Sequence, residues 1–209
     1  MLDSANIGLL PSRKERSCLK TEEIKVTDST EVNEFVYVGF WRRIAAYLID
    51  IAILIPYALL SSWFAYASKE GFLICQAVAF LIGIIFEIYL VKRFGGSPGK
   101  LLMKMRIAKL DGSPVGYREA SVRYSVIFVI SLVSSVGLIV SAFSIPDLEY
   151  AALTHKTRVM RFRELAPVWY QPVEIAGSVW VGSEFVVLLT NRKRRAIHDF
   201  MAGTVVIRA

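Results

Sequence analysis

Residues 40–67 read FWRRIAAYLIDIAILIPYALLSSWFAYA, and the fold follows from how this stretch is interpreted. Between Ile44 and Tyr66 the one ionisable group other than tyrosine is the carboxylate of Asp50. The run is long enough to cross a hydrocarbon core of about 30 Å at roughly 1.5 Å per residue. We read it as a transmembrane helix over about 44–66, with Arg42 and Arg43 at its entrance and Trp41 and Tyr47 suited to the interfacial aromatic belt. A carboxylate at a helix centre costs about 2.5–3.5 kcal/mol on insertion scales, so Asp50 must face protein or water.

Three further apolar runs extend this reading. Residues 72–91 follow after so short a link that the two runs form an antiparallel hairpin, and their single acid is Glu87. Residues 124–143 are serine-rich and place Gly137 and Ser141 at a spacing that permits close helix contact. Residues 173–190, which contain Glu174 and Glu184, are short for a span and are read as the fourth. The expected fold class is an all-α membrane protein with about four transmembrane helices and a short cytosolic interfacial helix/β element. Residues 1–34, polar and mixed in charge, are read as a disordered cytosolic tail and not as a cleavable signal peptide, leaving 35–209 as the membrane domain.

Composition agrees. Of 209 residues 55% are hydrophobic and 21% charged, against about 25% charged in a typical soluble domain. The formal net charge of +7 comes from basic residues that flank apolar runs and form no nucleic-acid-binding motif, so no nucleic-acid partner is expected. The positive-inside rule accounts for them. Residues 92–123 hold eight lysines and arginines against two acids, and Arg192, Lys193, Arg194 and Arg195 follow the fourth run. On the other side stand Lys69 and the four basic residues of 145–171, beside His155. The bias puts both termini in the cytoplasm. Cys18 and Cys75 lie in unrelated contexts without matching histidines, so neither a disulfide, a metal site nor a cofactor is indicated.

This topology has a chemical consequence. Asp50, Glu87 and Glu184 fall in one layer, roughly 8–10 Å inside the cytosolic boundary by helical rise. Carboxylates at one depth repel unless they are protonated, paired or bridged by a cation. Two readings stand: a site for a monovalent cation or proton built on Asp50, Glu87 and Glu184, or a packing lock in which Arg43 and Arg123 neutralise them. Arg43 and Asp50 share a helix face but lie some 10 Å apart along the axis by helical rise, so each needs a partner from another segment.

The cytosolic segments carry their own patterns. FGGSPGKLLMKMRIAKLDGSPVGY, 94–117, breaks at its glycines and proline, passes through a helical turn, alternates Met103, Met105 and Ile107 against Lys104 and Arg106, and turns at Asp111 and Gly112. The spacing of its glycines and Lys100 is wrong for a phosphate loop. Near the C-terminal end 196–202 form a short amphipathic turn, Gly203 breaks it, and the β-prone 204–207 are expected to pair with 104–110. His198 and Asp199 are neighbours whose side chains point about 100° apart on a helix, which does not suit acid–base chemistry. Asp199 is expected to pair with an arginine at the membrane face, Arg43 first, within a polar network of Arg43, Arg123 and Asp199.

Three stretches, WRRIAAYLID, GGSPGKLLMKMRIAKLDGSPV with Arg123 beyond it, and RRAIHDFMAGTVVI, resemble in order the RDD family of bacterial membrane proteins, named for an arginine and two aspartates. By position the arginine is Arg43, with Arg42 as the alternative, and the aspartates are Asp50 and Asp199. The resemblance implies a multi-pass protein of the bacterial inner membrane with a role in transport and no set substrate; it does not extend to the tail or to 145–171. The expected function is a small transporter of cations or small solutes, as a homo-oligomer or with another membrane protein. The alternative is a scaffold whose Arg/Asp network is structural. No nucleophile, metal or cofactor motif suggests an enzyme.

Overall fold

Four apolar runs become four long helices, each longer than the hydropathy pattern alone suggests. The computed structural model describes residues 36–191 and 194–209; the tail expected over 1–34 and the basic residues Arg192 and Lys193 lie outside the described residues. Helix α1 spans Phe40–Ala67 and α2 spans Lys69–Ile84. Only Ser68 separates them, and its hydroxyl caps α2 by accepting the Gly71 N–H at 3.0 Å. Helix α2 runs on through a π-helical segment, Ile85–Tyr89, into α3, Leu90–Phe94. Gly95, at φ 87°, ends α3 in the left-handed conformation that glycine adopts without strain.

A short helix α4, Pro98–Leu102, and strand β1, Met105–Lys109, follow. Helix α5, Tyr117–Ser144, begins seven residues before the expected span because its first two turns are amphipathic and extend below the apolar run. The connection 145–171 holds two helices, α6 at Asp147–Ala152 and α7 at His155–Leu165. Helix α8, Tyr170–Thr190, returns across the bundle to α9, Ile197–Met201, and β2, Thr204–Arg208. Helices α1, α2–α3, α5 and α8 are the four membrane spans. Leucines and tryptophans such as Leu59, Leu60 and Trp63 stay exposed along them, as lipid contact requires.

At the end of the bundle where α1 begins, β1 and β2 pair antiparallel with Ile107 opposite Val206. The segment before α1 extends this sheet, Tyr37 bridging Ile207 and the Arg208 N–H reaching the Val36 carbonyl. One sheet face packs Met105, Ile107 and Val206 on Ala46, Val91 and Ala120 of the spans, while Ala108, Val205 and Ile207 pack under Tyr37. Strand β2 is therefore buried on both faces, which explains its continuous apolar run.

The opposite end is closed by α6 and α7. Tyr150 and Phe162 join Ala142 and Ile145 in a second core, with Phe72 against Phe162. Arg158 of α7 donates to the carbonyls of Ala65 at 3.0 Å and Tyr150 at 2.7 Å, with its guanidinium over the Tyr150 ring. Within the membrane, Gln76 donates to Ser135 at 2.7 Å and Ser134 to Glu174 at 2.6 Å, joining α2 to α5 and α5 to α8. The close approach of α5 and α8 depends on Gly137, where a Cβ would strike Tyr170 and Trp169.

Candidate functional site

The polar residues singled out above separate into three groups at the sheet end. The first is built on Asp199, which is 0% exposed. Its Oδ2 accepts from the Ala196 N–H at 3.0 Å, holding the first turn of α9, and from Arg43 Nη1 at 3.1 Å. Its Oδ1 accepts from Arg123 Nη1, which also donates to Thr204 Oγ1 at 2.6 Å. Arg195 donates to the Asp199 carbonyl at 2.8 Å and the Thr204 carbonyl at 3.0 Å, and Arg43 Nη2 reaches the Arg194 carbonyl at 2.6 Å. Arg43, Arg123 and Asp199 therefore tie α1, α5, α9 and β2 together.

Burying an ion costs several kcal/mol, recovered only when charge and hydrogen bonds compensate it. For the Asp199 carboxyl, burial pushes the pKa up. The positive charges of Arg123 and Arg43 and the Ala196 N–H outweigh it and hold the group well below the ordinary carboxylate range.

The second group is centred on Asp50. Its Oδ2 accepts from Ser97 Oγ at 2.6 Å and its Oδ1 from the Gly99 N–H at 2.7 Å. Pro98 stands at the start of α4, so the carboxylate of α1 caps another helix from across the interface. Gly99 is required by proximity: a Cβ there would sit on the Ala46 carbonyl oxygen and against the Asp50 carboxylate. The GGSPGK loop thus wraps a carboxylate of its own chain.

The third group opens off the second. A cavity of about 370 Å³ lies between α1 and α2, lined among others by Arg43, Asp50, Tyr57, Gly83, Glu87 and Lys100. Glu87 sits in the π-helical segment, an irregularity that recurs at functional sites. Among the described residues it makes no hydrogen bond and no ion pair. Glu184 is elsewhere: its Oε2 lies 2.6 Å from His198 Nδ1.

The expected layer of three carboxylates is thus divided. Asp50 and Glu87 line one cavity, while Glu184 faces α9 because His198 occupies its side of α8. Arg123 meets Asp199 in place of a carboxylate of the layer. Arg43 takes the role of the paired arginine, and Arg42 lines a different cavity. Ser97, Gly99, Lys100, Thr204 and Arg195 were not foreseen as members of the site. The signal for Ser97 and Gly99 was the Ser97–Pro98 helix start, which announces a helix N-terminus in need of an acceptor.

The RDD family model matches residues 37–203, which contain all three groups except Thr204. No curated protein and no solved structure matches the chain.

Proposed function

The chain belongs to the RDD family, and we propose that it is a small membrane transporter of monovalent cations or small solutes that works by cation/proton exchange at Glu87. The observation that carries this reading is a carboxylate without a hydrogen-bond or ion-pair partner among the described residues, on a π-helical turn, opening into a 370 Å³ cavity within a membrane span. Such a group is neutralised most cheaply by a proton or by a cation. One carboxylate does not take both at once, and that exclusion is the coupling an exchanger needs. Lys100 on the same cavity wall supplies a tethered positive charge that competes with the cation. Asp50 positions the wall that carries Lys100 by holding Ser97 and Gly99.

The setting proposed is the inner membrane of a bacterium, with both termini cytoplasmic so that the many arginines and lysines of the sheet end lie inside. Four spans make a small pathway, so assembly as a homo-oligomer or with another membrane protein is part of the proposal. No catalytic role is assigned.

A second reading, a scaffold without transport, is favoured by the full engagement of Asp199 and Asp50. The two are separated by a flux screen over Na⁺, K⁺, Li⁺ and H⁺ gradients in proteoliposomes. Glu87→Gln is the decisive variant, since no protein hydrogen bond among the described residues depends on it. Loss of flux with unchanged folded yield and melting temperature is expected. Wild-type protein that is folded and carries none of these ions overturns the exchange reading.

A further inference from the structure

A second cavity, of about 530 Å³, lies where α1 begins and α8 ends, away from Glu87. Three arginines line it, Arg42, Arg194 and Arg208, together with Trp41, Leu188 and Leu189. Among the described residues no acidic side chain lines it, and none of the three arginines has an ion-pair partner.

The backbone adds to this positive charge. Helix α1 starts at Gly39 with no side-chain cap and no acid in its first turn, so its N-terminal N–H groups and the positive end of its dipole face the same region. Arg194 presses closest. A Cβ on residue 39 would stand 2.5 Å from Arg194 Nη1, so glycine here makes room for a guanidinium, its own φ of −70° being open to any residue. Arg194 holds φ 48° and is anchored through its carbonyl to Arg43. Guanidiniums that line one cavity at the positive end of a 28-residue helix offer an anion the attraction of both side chains and helix dipole.

We propose that this cavity binds the phosphodiester headgroup of an anionic phospholipid. The lipid source follows from position. The cavity sits at the ends of two membrane spans, Trp41 is 79% exposed at that level, and Leu188 and Leu189 on the last turns of α8 provide an apolar wall for an acyl chain. Guanidiniums match phosphate oxygens in bidentate geometry. The site is independent of the transport reading and serves equally a scaffold.

The test uses Trp41 as reporter. Full-length protein is titrated in detergent micelles with brominated phosphatidylglycerol or brominated phosphatidylcholine, and a Trp41→Phe control isolates the quenching that belongs to Trp41. Phosphatidylglycerol is expected to quench that component at a mole fraction at least about tenfold lower than phosphatidylcholine. Each arginine removed lowers the preference about fivefold, and Arg42→Gln, Arg194→Gln and Arg208→Gln together abolish it. Equal quenching of the wild type by the two lipids overturns the proposal, and needs no variant to fold. A preference that survives the triple substitution overturns it as well. Reversal by inorganic phosphate, against chloride at the same ionic strength, assigns the cavity to a free anion and overturns the lipid source.

Discussion

The two ends of the bundle are closed by opposite electrostatic devices. At the sheet end a buried anion, Asp199, is held by cations from α1 and α5. At the other end buried cations are held chiefly by carbonyl oxygens, with Lys69 also pairing with the exposed carboxylate of Asp147 at 2.6 Å. Arg158 reaches Ala65 in the last turn of α1 and Tyr150 in the last turns of α6, and Lys69 donates to the Ile145 carbonyl at 2.5 Å. Those carbonyls are the unpaired acceptors of helix C-termini, so cations there satisfy both hydrogen bonding and the helix dipole. The difference lies in what remains when the central group is removed. At the sheet end two guanidiniums face each other without an anion; at the other end the carbonyls of Ala65 and Tyr150 that Arg158 reaches are neutral.

Asp199→Ala is therefore expected to have the largest effect. Removing one partner of a buried charge network costs about 3–5 kcal/mol, or roughly 6–20 °C in melting temperature at this chain length. Arg43→Gln should cost less, because Arg123 still binds the other carboxylate oxygen. The acid limb gives the same comparison without mutation. The Asp199 carboxyl is held low in the folded state, whereas an unfolded aspartate titrates near 3.9. Its stabilisation is then complete above about pH 4 and is lost as pH falls from there toward the folded value. Melting temperatures measured downward through pH 4 should drop in the wild type and drop less in Asp199→Ala. An Asp199→Ala protein that melts within about 2 °C of the wild type breaks the distinction between the ends.

Arg158→Met should come next, at about 1–3 kcal/mol. It loses bonds to the neutral carbonyls of Ala65, Tyr150 and Leu153 and the contact with the Tyr150 ring, 4.0 Å away. Since Arg158 takes no part in the Asp199 network, the variant should keep the acid limb that Asp199 gives the wild type. Arg158→Lys retains the charge and loses the fork, so its melting temperature should fall between the two. A cost above that of Asp199→Ala reverses the ranking of the two ends.

How much of this was legible in the sequence depended on the range of the interaction. The spans were visible because lipid imposes a long apolar run, and β1 with β2 because alternation and a glycine break mark them. Asp50 was legible as a carboxylate in need of a partner. The identity of that partner was not, since Ser97 and Gly99 lie 47 and 49 positions away in a loop that reads as a turn. The π-helical turn at Glu87 left no mark, because one extra residue in an all-apolar run shifts no visible pattern. Helices α6 and α7 were hidden by their charge: Tyr150 and Phe162 are sparse among Lys156, Arg161 and Arg163. Helical rise placed three carboxylates at one depth, but depth does not give direction, and His198 turned Glu184 away from the other two.

The smallest effect belongs to Ser97→Ala, which compares two aspartates at the same end. Ser97 gives Asp50 one of the two donors described for it. Were Asp50 enclosed like Asp199, losing a donor to a charged acceptor would cost about 1.5–3 kcal/mol. Asp50 instead lines a cavity of about 370 Å³, roomy enough for water to replace the hydroxyl. The expected cost is thus about 1 kcal/mol, or roughly 2–4 °C in melting temperature. Thr204→Val, which removes a hydroxyl from the enclosed Asp199, should cost more, because no water can take its place. Equal shifts for the two variants would mean that Asp50 is as dry as Asp199, and a dry Asp50 leaves the neighbouring Glu87 without the hydrated access that an exchange site requires.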